Sequence, residues 1–313
     1  MRILILYTFI MLVGLPSALA RGVFAMDAAS AEMYMPAVLN VLSGDVVAEA
    51  PGRNKEGVLK PYAIDLKTGI IYDCFVIRDY SIVYVGFENA PKGSVAVIPI
   101  TDAIMKYDYC GAYGTVSYLR FLNDANLSVN IVGTVLAMDT PGGEVYGTKN
   151  VSDAVKNSPK PVIAHINDGY CASAGVYIAA PADKILLAQP TDKIGSVGVY
   201  STLIDVRGAY EKQGYKIKTI YSPTSPEKNK AWNAAMEDDD IKPMQKDLQF
   251  LDKIFMEQVK QGRGSGLNAE VLDGGMFYAE EAIAMGLADG MATFEQAIEE
   301  VINLSYGSLT ISG

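Results

Sequence analysis

Short apolar runs alternate with segments of helical spacing along the middle of this chain. The runs are typical of buried strands, whereas the intervening segments place their apolar side chains on one helical face. The expected strands cover residues 94–100, 131–138, 161–166 and 184–188. The expected helices cover residues 113–123, 145–157 and 172–180, and the pattern is again helical beyond residue 237, with 247–261 the longest segment. The alternation predicts parallel βαβ units, and therefore an α/β fold with a helical C-terminal part.

Residues 1–20 differ from the rest of the chain. Arg2 precedes an apolar run over residues 3–15, and Ala18-Leu19-Ala20 then forms a small-x-small cleavage pattern. This layout is typical of a secretory signal peptide. We therefore expect a signal peptide or a membrane anchor here, which favours the cell envelope. The alternatives are a buried strand or helix, and a misplaced start codon.

Residues 21–90 are expected to form a small mixed N-terminal region. Apolar residues have helical spacing over 28–42, and residues 70–85 are rich in the β-branched and aromatic residues that strands prefer. The turn cluster at 89–93 marks the expected boundary. The main domain is then expected to cover residues 91–304.

Composition narrows the classes of function. The chain has 313 residues, half of them hydrophobic, which allows one large domain or two modest ones. Its net charge of −10 argues against nucleic-acid binding, because such proteins carry a basic surface. Cys74, Cys110 and Cys171 form no disulfide framework and are expected to be buried small hydrophobic residues.

Ser173 is the strongest candidate for a reactive side chain. It lies between small residues, after the apolar strand at 161–166 and at the start of the next helical segment. Backbone N–H groups at such a junction lack partners within the helix and bear partial positive charge, which suits an oxyanion intermediate. The alternative is a serine that only caps the helix.

The base that would activate Ser173 is expected to be a lysine. The single histidine, His165, lies upstream within the strand, and no histidine follows Ser173. Cys171 is an alternative nucleophile, but without a histidine beside it the thiol would stay protonated at neutral pH.

Glycine-containing segments add further candidates. Gly142 and Gly143 follow the 131–138 strand, where bare backbone can approach a ligand and donate its N–H groups, as an oxyanion hole requires. The alternative is a turn that needs positive φ. Residues 194–199 are expected to form a tight turn followed by a strand. Within them, the Ser196 hydroxyl could hold a lysine amine by a hydrogen bond, or serve the turn alone.

Two lysines, Lys228 and Lys230, lie in a segment rich in serine and proline. Burial in an apolar pocket favours the neutral amine and makes a lysine a usable base. The alternative, which is the usual one for any single lysine, is a solvated charged loop.

Taken together and in this order, the segments resemble the signal peptide peptidase A (protease IV) family of serine peptidases. The resemblance covers residues 93–300, and its motifs lie at 135–143, 161–177, 184–199 and 274–289. In the last, Gly275-Met276-Phe277-Tyr278-Ala279-Glu280-Glu281-Ala282 precedes Gly286-Leu287-Ala288-Asp289. The resemblance implies a Ser–Lys dyad on a ClpP/crotonase-like fold.

The resemblance also implies roles for the candidate residues. Ser173 matches the nucleophile, and Ser196 matches the serine that coordinates the lysine. Gly142 and Gly143 match the oxyanion glycines, with the Ala174 amide as second donor. The family often has two glycines after the serine, so Ala174 leaves the oxyanion geometry open.

The lysine is less directly matched. Family members usually carry a Gly-x-His-Lys-like stretch, and residues 223–230 depart from it. Lys228 is our choice of base, and Lys230 is the alternative base.

The N-terminal region has a second resemblance. Residues 21–27, with Tyr34-Met35-Pro36 soon after, are similar to the opening of prophage head-maturation proteases, a branch of the same family. That branch is cytoplasmic and cleaves scaffold and capsid proteins, so it conflicts with the signal-peptide interpretation of residues 1–20.

The leading hypothesis is a serine endopeptidase that hydrolyses peptide bonds in signal-peptide remnants or in phage capsid and scaffold proteins. By resemblance, serine and lysine of one site come from neighbouring subunits of a homo-oligomeric ring. We expect no metal, no cofactor and no nucleic acid, and membrane association only through residues 1–20. The alternatives are a crotonase-like enzyme acting on acyl-CoA thioesters and an inactive assembly or scaffold protein.

Overall fold

The computed structural model describes residues 23–26, 59–78, 81–108, 112–203, 205, 207–216 and 218–309. The signal-peptide prediction for 1–20, the helical spacing at 28–42 and Cys110 lie outside the described residues.

Most of the described chain forms strands and helices. The strands are β1 (Val23–Met26), β2 (Tyr62–Ile64), β3 (Ile71–Asp73), β4 (Phe75–Arg78), β5 (Ser81–Tyr84), β6 (Ser94–Thr101), β7 (Ile131–Thr140), β8 (Gly142–Glu144), β9 (Val162–Ala172), β10 (Lys184–Leu187), β11 (Lys193–Gly195), β12 (Tyr200–Ser201), β13 (Met276–Tyr278) and β14 (Gly290–Met291). The helices are α1 (Thr115–Leu127), α2 (Thr148–Lys156), α3 (Ala174–Ala179), α4 (Arg207–Lys212), α5 (Lys230–Glu237), α6 (Lys242–Arg263), α7 (Ala279–Ala284) and α8 (Phe294–Leu309). Short 3₁₀ helices cover Gly264–Gly266 and Ala269–Asp273.

The main sheet has nine strands and is mostly parallel. Its order is β13-β11-β9-β7-β6-β2-β3, with β10 between β9 and β14. The central pairs β6–β7 and β7–β9 are parallel, whereas β2 and β13 pair antiparallel with their neighbours. The connections from β6 to β7 and from β7 to β9 contain α1 and α2, which confirms the predicted parallel βαβ units and the α/β class.

The core lies on both faces of this sheet because successive strand residues point to opposite sides. On β7, Val135 packs in a cluster with Val301 of α8, whereas the next residue, Leu136, packs in the cluster that holds α1, α2, α3 and α6. The predicted longest helix is confirmed as α6, which runs further in both directions than the pattern indicated.

The strand before Ser173 is longer than predicted. β9 continues to Ala172 because its two halves pair with different neighbours, first with β10 and then with β11. Between these halves the buried Asp192 carboxylate accepts hydrogen bonds from the amides of Gly169, Ala188 and Gln189, at 3.0, 3.0 and 2.8 Å. These bonds and the pairing with β11 fix β9 as far as Ala172, the residue before Ser173.

The segment at 194–199 differs in order from the prediction. The strand β11 comes first and the turn follows, because Ile194 pairs with both Cys171 of β9 and Phe277 of β13. The short strand β12 comes only after the turn.

The predicted N-terminal region contributes to the main sheet. The boundary cluster at 89–93 forms the turn into β6, and β2 pairs with β6 through Tyr62↔Val97 and Ile64↔Val95. The predicted strands at 70–85 correspond to β3, β4 and β5, and the last two form a hairpin. The division into domains stays a prediction. Among the described residues, no helix combines the length and apolarity needed to cross a membrane.

A second, three-stranded sheet has the order β12-β1-β8. Both pairs are antiparallel, with β1 in the centre. This sheet brings together the segments that follow β7 and β11, both of which carry predicted site residues.

Candidate active site

Ser173 lies at the junction between β9 and α3 in a backbone conformation that is unusual for a side-chain-bearing residue. Its φ is 52° and its ψ is −112°. Its amide donates to the Gly195 carbonyl at 2.9 Å, and its Oγ donates to the Gly198 carbonyl at 3.2 Å. Positive φ at a non-glycine residue costs about 1–3 kcal/mol and is found preferentially at functional sites. The surrounding strands therefore hold Ser173 in a strained position with its hydroxyl on the β11–β12 turn.

The helix that follows Ser173 is fixed by a buried chain of hydrogen bonds. Ser152 of α2 donates through its Oγ to the Tyr177 carbonyl at 2.7 Å, and Gln258 of α6 donates to the same Oγ at 2.9 Å. The ring centroids of Tyr177 and Phe255 also lie 5.1 Å apart. Since buried polar networks rigidify a core when every member is paired, α2 and α6 together set the position of α3.

The predicted oxyanion glycines lie on β8, which forms backbone hydrogen bonds with the loop after β6. The Ile104 amide donates to the Gly142 carbonyl at 2.7 Å, and the Glu144 amide donates to the Ile104 carbonyl at 2.7 Å. A Cβ on Gly143 would lie 1.9 Å from the Ile104 oxygen. Only glycine allows this approach of two backbones.

Thr140 connects the glycine strand with the serine helix. Its Oγ1 accepts a hydrogen bond from the Gly142 amide at 3.2 Å and donates to the Asp102 carbonyl at 2.6 Å. On its other side, a Cβ added to Gly175 of α3 would lie 2.7 Å from the Thr140 Cγ2. The structure therefore brings the Gly142–Gly143 strand to the same place as α3 and its buried first residue, Ala174.

Backbone hydrogen bonds hold the segment around Ser196 next to Ser173. The residue before it, Gly195, accepts the Ser173 amide, and the Ser196 amide donates to the Gly275 carbonyl at 2.7 Å. Ser196 also has positive φ, at 56°. The sequence pattern indicated this segment but not the role of the Gly198 carbonyl, which accepts the hydrogen bond from the Ser173 hydroxyl. In the sequence, only the pattern of glycine and serine over residues 195–198 marks the position of this carbonyl.

The two candidate lysines are not joined to Ser173. Both are exposed, and among the described residues no hydrogen bond links any lysine to the serine. Lys230 begins α5 and forms an ion pair with Glu227 at 2.8 Å, and Asn229, with φ of 59°, separates it from Lys228. The expected burial of the base is thus not found within this single chain.

Cys171 does not offer a competing nucleophile. It is fully buried, its Sγ lies 3.9 Å from the Met138 Sδ, and burial raises the pKa of its thiol. Burial likewise raises the pKa of the Cys74 thiol to about 12. Both cysteines are free and buried, which confirms the prediction for these two residues.

His165 does not offer a competing base. Its side chain is 1% exposed, lies against the Phe294 ring on the α8 face of the sheet and donates through Nε2 to the Ala292 carbonyl at 2.9 Å. Burial lowers its pKa. The histidine therefore belongs to the core behind the sheet.

Comparison with known proteins finds the same resemblance. Residues 154–305 match Peptidase family S49. The chain is 30% identical over 214 residues to capsid assembly protease C of Escherichia phage lambda, covering 65% of this chain and 48% of that protein. It is 26% identical over 219 residues to Protease 4 of Salmonella typhi, covering 68% of this chain and 35% of that protein. The matches therefore span about half or less of these relatives, and they confirm the predicted resemblance to this family.

Among solved structures, the chain is similar to a membrane-bound stomatin-specific protease named 1510-N. The sequence identity is 20% and the TM-score is 0.42, with 68% of this chain and 84% of that chain covered.

Proposed function

We propose that this chain, which carries a Peptidase S49 domain, is a serine endopeptidase with Ser173 as its nucleophile. The observation that carries the proposal is the strained, buried Ser173, held at a strand–helix junction beside a strand of two glycines. Strain of this kind persists only where the surroundings determine it, and it is typical of residues positioned for reaction.

In the proposed reaction, the neutral amine of a lysine takes the proton from the Ser173 Oγ. The oxygen then attacks the peptide carbonyl carbon, and the carbonyl electrons move to its oxygen. Collapse of this intermediate breaks the C–N bond and leaves an acyl-enzyme, and the amine product leaves with the proton. Water then hydrolyses the acyl-enzyme and restores the serine. The hydrogen bond from Ser173 to the Gly198 carbonyl is exchanged for one to the lysine in this step.

The proposed oxyanion donors are the Ala174 amide and the backbone of Gly142 and Gly143. The close approach of β8 and α3 through Thr140 supports this assignment. In this structure the Gly142 amide donates to the Thr140 Oγ1 and Gly143 pairs with Ala25 of β1, so a substrate carbonyl must displace one of these partners. Donors of this kind typically contribute 10²–10³ in rate.

The base is proposed to be Lys228, acting on Ser173 of a neighbouring subunit, with Ser196 holding its amine. Its exposure in the single chain supports an assembled site, because a lysine must be desolvated to be neutral and a subunit contact supplies that desolvation. The proposed assembly is a homo-oligomeric ring. Lys230 is the alternative base, although its ion pair with Glu227 would have to be broken first.

The proposed substrates are proteins. One relative is named a capsid assembly protease, which supports a phage capsid or scaffold substrate. Signal-peptide remnants are the other proposed class. Membrane association and a cell-envelope location rest on residues 1–20, with a cytoplasmic location if the chain is of the prophage type.

A fluorophosphonate probe tests the proposal. It should label the wild-type chain at Ser173, found by mass spectrometry, and leave Ser173→Ala unlabelled. Ser222→Ala, which removes an exposed hydroxyl, is the matched control and should label normally. The variants that the probe labels should cleave casein, and the unlabelled variant should not. Thioester hydrolysis of an acyl-CoA without peptide cleavage would favour the crotonase-like alternative, and neither activity would favour a scaffold protein.

A further inference from the structure

We propose that β1 fills the slot that binds a substrate strand, so that the chain restrains its own active site with residues 23–26. The inference rests on the proposed function, because the slot is defined by the candidate peptidase site. The partner that the slot accepts is an extended peptide whose paired residues are uncharged, as in the β1 sequence Val-Phe-Ala-Met.

The slot lies between two strands that both belong to the candidate site. β8 consists of Gly142, Gly143 and Glu144, and includes the two proposed oxyanion glycines. β12 follows Gly198, the residue whose carbonyl accepts the Ser173 hydroxyl. In the sheet order β12-β1-β8 these strands do not pair with each other. Neighbouring strands lie about 4.8 Å apart, so the gap between them has the width of one strand.

β1 fills this gap through its backbone. It runs antiparallel to β8, with Ala25 opposite Gly143 and Met26 opposite Gly142. On the other side it runs antiparallel to β12, with Phe24 opposite Tyr200. Strand addition of this kind is a general mode of peptide recognition, since main-chain hydrogen bonds give affinity and depend little on sequence.

The position of β1 conflicts with that of a substrate. A peptide must pass beside the glycine strand for its carbonyl to reach the proposed oxyanion donors, and Ala25 and Met26 lie beside that strand. Within the described residues β1 pairs with no strand of the main sheet. Its removal therefore takes no hydrogen bond from the nine-stranded sheet that positions Ser173.

Because β1 is part of the same chain, its competition with an added peptide is intramolecular and does not depend on the protein concentration. A weak strand interaction then suffices to fill the slot most of the time. An added peptide binds only the open fraction, and its apparent affinity is reduced by that fraction.

Binding of a labelled peptide tests the inference without catalysis. The probe is a fluorescent heptapeptide with the sequence of residues 21–27, and the protein is full-length Ser173→Ala. Ala25→Pro removes one amide from β1, whereas the control Ala25→Val keeps it. We expect Ala25→Pro to bind the peptide about tenfold more tightly, as follows if the slot is open about one tenth of the time. Equal or weaker binding would overturn the inference.

A disulfide lock gives a second test. Val23 and Ser201 are register partners, and the Cα separation of such pairs permits a disulfide. Oxidised Val23→Cys/Ser201→Cys in the Ser173→Ala background should lose peptide binding and regain it with dithiothreitol. Each single variant should bind unchanged. A locked chain that still binds the peptide would contradict the inference.

Kinetics separate this inference from the proposed function. With Ser173 present, Ala25→Pro should lower KM and leave kcat unchanged. A fall in kcat would mean that β1 supports the glycine strand, and would overturn the competitive role. If peptide binding changes as expected but no variant takes a fluorophosphonate at Ser173, the slot stands and the peptidase proposal fails.

Discussion

The Oγ of Ser173 donates a hydrogen bond to the carbonyl oxygen of Gly198 at 3.2 Å. This bond orients the proposed nucleophile towards the turn between β11 and β12. It also ties the hydroxyl to a residue two positions after Ser196, the proposed partner of the lysine. Displacement of the Gly198 carbonyl by an amine is thus the first change that the proposed reaction requires.

Because the backbone at Ser173 is strained, we expect a substitution that relieves the strain to stabilise the folded chain even though it abolishes activity. Ser173→Ala and Ser173→Gly both lose the Oγ hydrogen bond, but glycine adopts φ of 52° without steric cost. We expect both variants to be inactive, and Ser173→Gly to be more stable than Ser173→Ala by about 1–3 kcal/mol. Urea unfolding measures the difference. Equal stability would mean that the residue is not strained.

Close backbone packing predicts that Gly143→Ala is severely impaired. The added Cβ would lie 1.9 Å from the Ile104 oxygen, so β8 must shift away from its position beside α3. We expect kcat to fall by about 10²–10³, the typical effect of losing one oxyanion donor. Gly208→Ala is the control, because nothing lies near the new Cβ on this exposed helical residue. That control should retain activity and gain about 0.5–1 kcal/mol.

The separate environments of the two lysines predict different effects of their loss. We expect Lys228→Ala to be inactive in peptide cleavage, whereas Lys230→Ala loses only an exposed ion pair and keeps substantial activity. The reverse result would assign the base to Lys230.

An assembled site also predicts complementation between inactive chains. Ser173→Ala mixed with Lys228→Ala should regain part of the activity, since some interfaces then pair an intact serine with an intact lysine. Native mass spectrometry checks that subunits have exchanged. Exchange without recovered activity would mean that the pair forms within one chain.

The buried histidine predicts a loss of stability in mild acid. Burial lowers the pKa of His165 below its usual 6.5, so between the folded pKa and 6.5 the unfolded chain binds more protons than the folded one. Its contribution is therefore fully present above about pH 6.5 and is lost as pH falls below that value. The free energy of unfolding should drop less between pH 7.5 and 5.5 in His165→Gln, which keeps a donor for the Ala292 carbonyl.

The pH dependence of activity distinguishes a lysine base from a histidine base. Peptide cleavage should rise with pH above the range in which His165 titrates, because the lysine must lose its proton. His165→Gln should keep this profile. A profile governed by a group near 6.5 and lost in the variant would make the histidine the base.

The sequence pattern predicted the central strands because β6, β7 and the first half of β9 are buried and therefore nearly continuous in their hydrophobicity. The second half of β9 escaped prediction. Residues 167–169 are polar or small, and Asp168 has φ of 53°, yet the chain continues as β9 because Asp192 and β11 hold it. Those partners come from later in the chain, and a local pattern does not reveal them.

The positions of the candidate site residues in the fold were predicted in part for a similar reason, whereas their roles stay predictions. Ser173 and the glycine pair follow predicted strands, and strand ends are visible in the pattern, whereas Ser196 was expected before a strand and lies after one. The Ser173 conformation was not predicted, since its hydrogen-bond partners are Gly195 of β11 and Gly198 of the turn after β11, both later in the chain. The exposure of Lys228 was given only as an alternative to burial, because a lysine in a turn has the same local sequence whether or not a partner covers it.

The pairing of β1 has a consequence for the chain as it is synthesised. Phe24 leaves the ribosome long before its partners Glu144 and Tyr200 exist. At roughly 5–20 residues per second, the wait for β12 is on the order of ten seconds. During that time Val-Phe-Ala-Met is an uncharged strand with both edges unpaired, which is the kind of segment that associates between nascent chains. Expression at lower temperature or with a chaperone that binds extended peptides should therefore raise the soluble yield, and Ala25→Pro should reduce that dependence.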